Sequence, residues 1–460
     1  MNTVEHSSNS INPPTLIVGL GVSGLSCARF LRQRGETFAV VDSRVAPPAL
    51  QQLHDEMPDV QVFCGGFDTP AMKTAQRLVL SPGISLQEPN IAEALRRGAE
   101  IFGDIELFAR HVDAPVVAIT GSNGKSTVTT LVGEMAKAAG LTVSVGGNLG
   151  TPALDLLGGA QERADFYVLE LSSFQLETTH SLNAYAAVVL NISPDHMDRY
   201  HDVAEYAAAK QRIYEGDGIL VVNGDDAWVV AMASAFKQHN ALRRVVRFTL
   251  QSPQEEEFGI RSFDGEPWLA LGMNRLLNVN ELRIAGRHNH ANALAALALG
   301  DAMRIPMNSM LQVLREFPGL PHRTQWVATI NGVSWYNDSK GTNVGATVAA
   351  VAGMPGNKVL IAGGDGKGAD FSPLKAMALN HHVKAVVLIG RDAQAIAKAL
   401  DDAVAVYYAK DMAAAVHKAS DLASAGDSVL LSPACASFDM YANYVQRGNV
   451  FEQAVKELAA

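Results

Sequence analysis

The stretch from residue 114 to residue 127 constrains the fold of this chain more than any other. An apolar, β-branched run, Ala114-Pro-Val-Val-Ala-Ile119, stops at Thr120-Gly-Ser-Asn-Gly-Lys-Ser-Thr127, and a helical pattern through Leu131 and Met135 follows. Strand, glycine turn and helix in that order make a phosphate-cradling loop. Glycines let backbone N–H groups converge on phosphate oxygens, and the helix points its positive dipole end at them. In such a loop Lys125 meets the β- and γ-phosphates, and the hydroxyl of Ser126 or Thr127 holds Mg²⁺. ATP, rather than a redox cofactor, is the expected energy source. The usual spacing, G-x-x-x-x-G-K-[ST], would put its first glycine at Ile119, so this loop is a shortened variant. A glycine-rich turn with a solvated lysine is the rival reading, but it leaves the strand–turn–helix order unexplained.

At 460 residues the chain is too long for one core, and about three domains are expected. A composition of 48% apolar and 18% charged residues is that of a globular protein. No apolar run approaches the ~18 residues that span a bilayer, so no membrane insertion is expected. Residues 1–12 are polar, with neither the basic start nor the apolar stretch of a signal peptide. Cys27, Cys64 and Cys435 are odd in number and far apart; they point to reduced thiols in a cytoplasmic protein and give no metal-site spacing. A net charge of −10 argues against a nucleic-acid partner. A phosphate ligand must then be held locally, by backbone amides and a few cations.

Three α/β blocks follow one another, which predicts an α/β protein of three consecutive doubly wound domains: Rossmann-like, then a P-loop mononucleotide-binding unit, then Rossmann-like again. The expected boundaries are 1–103, 104–319 and 320–460. In the first block, strands are expected at 15–21, 37–42 and 77–80, with a helix to about Arg34. The central block has buried-strand runs at 116–119, 142–145, 165–169, 187–190 and 218–222. Each ends in a turn rich in Gly, Asn, Ser or Asp, and ligands collect at such strand ends. The irregular stretch 249–282 is expected to hold short antiparallel strands, and 289–299 an Ala-rich helix. Phe317-Pro-Gly-Leu-Pro321 reads as a linker. Strands resume at 358–362, 385–390 and 428–431.

Gly19-Leu-Gly-Val-Ser-Gly24 is a complete G-x-G-x-x-G after a strand, with Asp42 where a ribose-binding acid would sit. Alone, it favours a dinucleotide-binding dehydrogenase, or glycines that serve only tight packing. Beside an ATP loop, it reads as a module for a nucleotide-linked substrate.

Further chemistry gathers at strand ends. Glu170 could ligate Mg²⁺ directly or through water. His196, in Ser193-Pro-Asp-His-Met-Asp198, is placed for a metal or a phosphate. Lys210 lies on a helix, where a solvated lysine is the default. Asn337-Asp-Ser-Lys-Gly-Thr-Asn343, Gly363-Gly-Asp-Gly-Lys-Gly368 and Ser432-Pro-Ala-Cys-Ala-Ser-Phe-Asp439 form three polar loops in one block, a site for a small anionic co-substrate.

Together with Glu170-Leu-Ser-Ser-Phe-Gln-Leu-Glu177, Gly286-Arg-His-Asn-His-Ala-Asn292 and Pro321-His-Arg323, these motifs resemble the Mur ligase family, the ATP-dependent amide-forming enzymes of peptidoglycan precursor synthesis. The resemblance covers nearly the whole chain. Gly19–24, Ser81-Pro-Gly83 and 432–449 are most similar to the branch that adds D-glutamate to UDP-N-acetylmuramoyl-L-alanine; Gly341 stands where many relatives carry Ala.

The resemblance implies catalytic roles for Lys125, His196 and Lys210. ATP would be bound by Gly121, Ser122, Asn123, Gly124, Lys125, Ser126, Thr127, Asn289, Asn292, Arg323 and Asp338. The uridine diphosphate would lie against Val22, Ser23, Asp42, Ser43, Arg44 and Ser81, and Asn148 would touch the muramoyl group. Lys340, Thr342, Lys367, Ser437 and Tyr444 are the remaining substrate residues, the last three for D-glutamate. Two Mg²⁺ ions would be held by Ser126, Glu170, His196 and Lys210, the last as a CO₂-derived carbamate. The implied chemistry is an acyl phosphate formed from the muramoyl-alanine carboxylate and attacked by the amine of D-glutamate. A monomer is expected, with domain closure excluding water. Three alternatives stay open: another Mur or folylpolyglutamate-type ligase, a dehydrogenase, and a non-catalytic ATP-binding regulator.

Overall fold

A computed structural model describes residues 14–157, 163–284, 286–354 and 356–458. The stretch 1–12, read above as no signal peptide, lies outside the described residues.

The first sheet has five parallel strands: Thr15–Val18 (β1), Phe38–Asp42 (β2), Val62–Cys64 (β3), Arg77–Leu80 (β4) and Glu100–Gly103 (β5), in the order β3-β2-β1-β4-β5. The order reverses beside β1, so a crevice opens between the turns after β1 and β4. Strands β1 and β2 are buried throughout, as helices on both faces require, which is why each reads as an unbroken apolar run.

The second sheet has nine strands. They are Val116–Thr120 (β6), Val143–Gly147 (β7), Phe166–Glu170 (β8), Ala186–Val189 (β9), Ile219–Asn223 (β10), Val245–Phe248 (β11), Phe258–Phe263 (β12), Glu266–Leu271 (β13) and Asn274–Asn278 (β14). The order is β14-β13-β12-β11-β10-β9-β6-β8-β7, and β12 to β14 form the expected antiparallel meander. Asp264 and Gly265, with φ of 54° and 85°, make the tight turn between β12 and β13.

The third sheet runs β15-β16-β20-β17-β18-β19. Its strands are Gln325–Ile330 (β15), Val333–Asn337 (β16), Lys358–Gly363 (β17), Val383–Ile389 (β18), Ala405–Tyr408 (β19) and Ser428–Leu431 (β20). Only the β15–β16 pair is antiparallel, a hairpin the apolar runs did not suggest. The fold is thus the expected α/β architecture of doubly wound, mostly parallel sheets.

By compactness the chain divides into two units, Met1–Ala118 with Thr142–Tyr185 and Ala209–Gly218, and Ile119–Leu141 with Ala186–Ala208 and Ile219–Ala460. In the second unit, the helix Arg287–Ala302 packs on Lys125–Ala138. Residues 293–299 of the former have 0% exposure, so this stretch of the helix is apolar all round, as a core segment should be. Each leucine buried this fully contributes about 1.5–3 kcal/mol. It therefore makes a rigid seat for Asn289 and Asn292 on its first turns. Among the described residues, no helix is long and apolar enough to cross a membrane.

Candidate active site

In the second unit the loop after β6 leads into the helix Lys125–Ala138. Gly124 caps that helix in the left-handed region at φ 87°, and a Cβ there would fall 2.3 Å from Asn292 Oδ1. Only glycine meets both demands. Lys125 Nζ donates to the carbonyls of Gly121 at 2.8 Å and Ser122 at 3.0 Å, folding back over the loop. Arg323 Nη2 donates to Ser126 Oγ at 2.5 Å, which brings a second cation to the loop.

A cavity of about 320 Å³ opens here. Asn123, Gly124, Thr127, Asn289, Asn292, Arg323, Asp338 and Lys340, all predicted site residues, line it. Leu190, Phe248, Ala346, Ala349 and Ala350 supply apolar wall. Cations together with flat apolar surface suit a purine nucleotide with its phosphates on the loop. Asp338 is fully enclosed: Ser432 Oγ donates to it at 2.7 Å and the Thr324 N–H at 3.0 Å, yet burial pushes its carboxyl up to about 6.

His196 sits with φ 58° beyond β9, its Nε2 3.7 Å from Asp195 Oδ2. Burial outweighs the neighbouring Asp195 carboxylate, and Lys367 adds to it, so the imidazole is pushed down to about 4. At neutral pH the ring is uncharged and has a lone pair for a metal. Lys367 Nζ donates to Asp195 Oδ1 at 2.8 Å and Asn343 Nδ2 to its Oδ2 at 3.1 Å. Burial works against the Asp195 carboxylate, but these donors hold it below its ordinary value. Lys340 Nζ lies 4.0 Å from the Tyr444 ring centroid, and Thr342 N–H donates to the Lys340 carbonyl. Ser437 is buried, its carbonyl accepting from Met440 and Tyr441.

The first unit holds a larger cavity, about 600 Å³, lined by Val22, Ser23, Asp42, Ser43, Arg44, Ser81, Asn148 and Gln175. The seven predicted substrate residues of this unit therefore line one space. Asp42 does not face it as a ribose acceptor would. Its Oδ1 takes the Arg44 N–H and Nε at 2.8 Å each, and its Oδ2 takes Leu20 N–H at 2.7 Å and Arg44 Nη2 at 2.6 Å. With four donors on two oxygens the carboxylate is saturated, and the group it offers the cavity is the Arg44 guanidinium. That arrangement suits an anion rather than the ribose hydroxyls of a dinucleotide. Asn148 Nδ2 donates to Glu170 Oε1 at 2.7 Å, and Glu170 and Lys210 are both buried, at 3% and 1% exposure. Among the described residues, no three His, Cys, Asp or Glu side chains gather as a ready metal cage. Mg²⁺ does not require one, since it keeps waters and phosphate oxygens and takes only one or two protein carboxylates.

Three family models match in series: a Mur ligase MurD-like N-terminal domain over 14–103, a Mur ligase middle domain over 119–300 and a Mur ligase glutamate ligase domain over 322–435. A UDP-N-acetylmuramoylalanine–D-glutamate ligase of Nitrosococcus oceani is 55% identical, covering 96% of both chains. This chain belongs to the Mur ligase family. Ligases of the same name from Methylococcus capsulatus and Pseudomonas syringae pv. syringae are each 53% identical over 96% of this Mur ligase and 95% and 98% of their own lengths. Among solved structures, a pseudomurein peptide ligase type C from Methanothermus fervidus (TM-score 0.61, 18% identity) and a UDP-N-acetylmuramate–alanine ligase from Thermotoga maritima (0.60, 16%) each cover 97% of this chain and all of their own, and share its fold. As a Mur ligase the chain is an enzyme, an ATP-dependent ligase of peptidoglycan precursor synthesis.

Several residues that shape these sites were not singled out from the sequence. Asn191 and Asp195 open and close the turn 191–195 after β9, Phe248 ends β11, and Gln175 lies in the first turn of the helix after β8. Asn191 and Asp195 stood in a turn already marked as a ligand-side strand end. Phe248 and Gln175 look, in sequence, like any core phenylalanine and helix-cap glutamine.

Proposed function

We propose that this ligase joins D-glutamate to UDP-N-acetylmuramoyl-L-alanine. The observation that carries the reading is that relatives 53–55% identical over 96% of the chain bear that one activity in their names. The uridine diphosphate end would occupy the first unit's cavity against Arg44 and the N-terminus of the helix Val22–Gln33. ATP would lie along the loop 121–127, its phosphates against Lys125 and Arg323.

The substrate carboxylate attacks the γ-phosphorus and ADP leaves, giving an acyl phosphate. Lys125 lies against the charge that develops on the transferring group. The amine of D-glutamate then attacks the acyl carbon, and phosphate departs from the tetrahedral intermediate as the amide forms. Lys367, Ser437 and Tyr444 are the residues proposed to hold D-glutamate, with Lys340 and Thr342 beside them.

Hard oxygen donors suit Mg²⁺. Glu170 and Lys210 in the first unit, the lysine as a carbamate, and Ser126 and His196 in the second are the proposed donors. Bound magnesium would screen the triphosphate charge. We take the enzyme to be a cytoplasmic monomer of three domains, 1–103, 104–319 and 320–460. Purified protein given ATP, magnesium and UDP-N-acetylmuramoyl-L-alanine should release phosphate with D-glutamate and not with L-alanine, meso-diaminopimelate or L-glutamate. Release with another amino acid in preference overturns the substrate assignment.

A further inference from the structure

The shortened loop raises a question of shape. Two residues separate Gly121 from Gly124, against four between the glycines of the usual motif. Fewer amides can bend around a phosphate, so the bend needs support from outside. That support comes from the segment just beyond β9. Leu190 N–H donates to the Thr120 carbonyl and Ser122 N–H to the Asn191 carbonyl, both at 2.9 Å. The Asn191 side chain then continues what the strand began. Asn123 N–H donates to Asn191 Oδ1 at 2.9 Å, and Asn191 Nδ2 donates to the Asn123 carbonyl at 3.0 Å. The fit is close, for a Cβ on Gly121 would come within 2.9 Å of Leu190 Cβ and 3.3 Å of Asn191 N.

A primary amide suits this place because it offers one donor and one acceptor in a plane, as a neighbouring peptide would. Fixing both the N–H and the carbonyl of residue 123 fixes the two peptide planes that flank it. In a trans peptide, C=O and N–H point oppositely, so tethering the Asn123 carbonyl to Asn191 turns the Gly124 N–H away from Asn191. We infer that Asn191 is a positioning residue for ATP, holding residue 123 so that the short loop's remaining amides face the phosphates. The inference rests on the reading of this loop as the ATP site.

Steady-state kinetics test it. Asn191→Ala removes both bonds and should raise the KM for ATP about tenfold or more. The KM values for UDP-N-acetylmuramoyl-L-alanine and D-glutamate should stay within about twofold of wild type, as no contact to either is lost. Asn191→Asp keeps the acceptor and loses the donor, so its ATP KM should fall between the two; it carries the test alone if thermal melting shows the alanine variant unfolded. An ATP KM within about twofold of wild type in the variant that folds, or a parallel rise of all three KM values, overturns the inference. Failure of the ATP reading itself looks different: wild-type enzyme then forms no ADP at all.

Discussion

Two glycine-rich turns, 19–24 and 121–127, each lead from a parallel strand into a helix, yet they are built differently. In the first, glycines mainly allow close packing. A Cβ on Gly24 would meet the Gly19 carbonyl oxygen at 2.0 Å, and one on Gly19 would meet Ser81 at 2.8 Å. The cation comes from elsewhere, on Arg44, held out by a saturated Asp42. In the second, the cation belongs to the loop: Lys125 follows Gly124 directly, and Arg323 reaches Ser126 from a distant segment. A glycine pattern therefore announces only that backbone approaches something closely. In the function proposed above, which cation attends it, and how that cation is held, would separate a triphosphate to be cleaved from a diphosphate to be gripped.

That contrast can be broken in four places. Lys125→Ala should reduce phosphate release by at least about 10³-fold while leaving UDP-N-acetylmuramoyl-L-alanine binding near wild type; near-normal turnover would show the loops are not specialised as described. Gly24→Ala forces a methyl onto backbone and should cost about 3 kcal/mol or more, seen as a lower midpoint in urea. A smaller effect distinguishes the units by pH. Asp338, buried in the second, is pushed up to about 6 from 3.8, so the folded chain binds a proton across that window that the unfolded chain lacks. Its contribution is complete below pH 3.8 and is lost as pH rises through about 6, worth at most about 3 kcal/mol.

In the first unit Glu106 does the reverse. Burial opposes its charge, but donors from His180, Ser181 and Arg110 hold it at about 2, so its contribution is present above 4.5 and lost as pH falls toward 2. All four tryptophans, Trp228, Trp268, Trp326 and Trp335, lie in the second unit, so fluorescence-monitored melts should show the Asp338 slope, and Asp338→Asn should flatten it. Arg44→Ala, the mildest, should raise the KM for the UDP-linked substrate about tenfold and leave that for ATP unchanged; a shift in both would tie Arg44 to the wrong ligand.

The features legible in sequence were those with a local physical signature. Strands buried on both faces show as unbroken apolar runs, so β1, β4, β6 and β20 were placed to within a few residues. The β15–β16 hairpin was missed although Asn331-Gly332, with φ of 52° and 77°, is a strong two-residue turn signal between alternating side chains. Short strands such as β3 and β5, half exposed, carry too few apolar residues to stand out. Among site residues, those on a motif could be named. The saturation of Asp42 and the clamp by Asn191 could not, since each depends on where a second backbone segment comes to lie.

Glu106 has one more implication, for the growing polypeptide. Its donors His180 and Ser181 lie 74 and 75 residues further along the chain, and the unit it belongs to is completed only by Ala209–Gly218. A ribosome adding roughly 5–20 residues per second needs on the order of 10–40 s to reach that point. Glu106 itself waits roughly 4–15 s of that time, while the 74 residues to His180 are added, before its first distant donor exists.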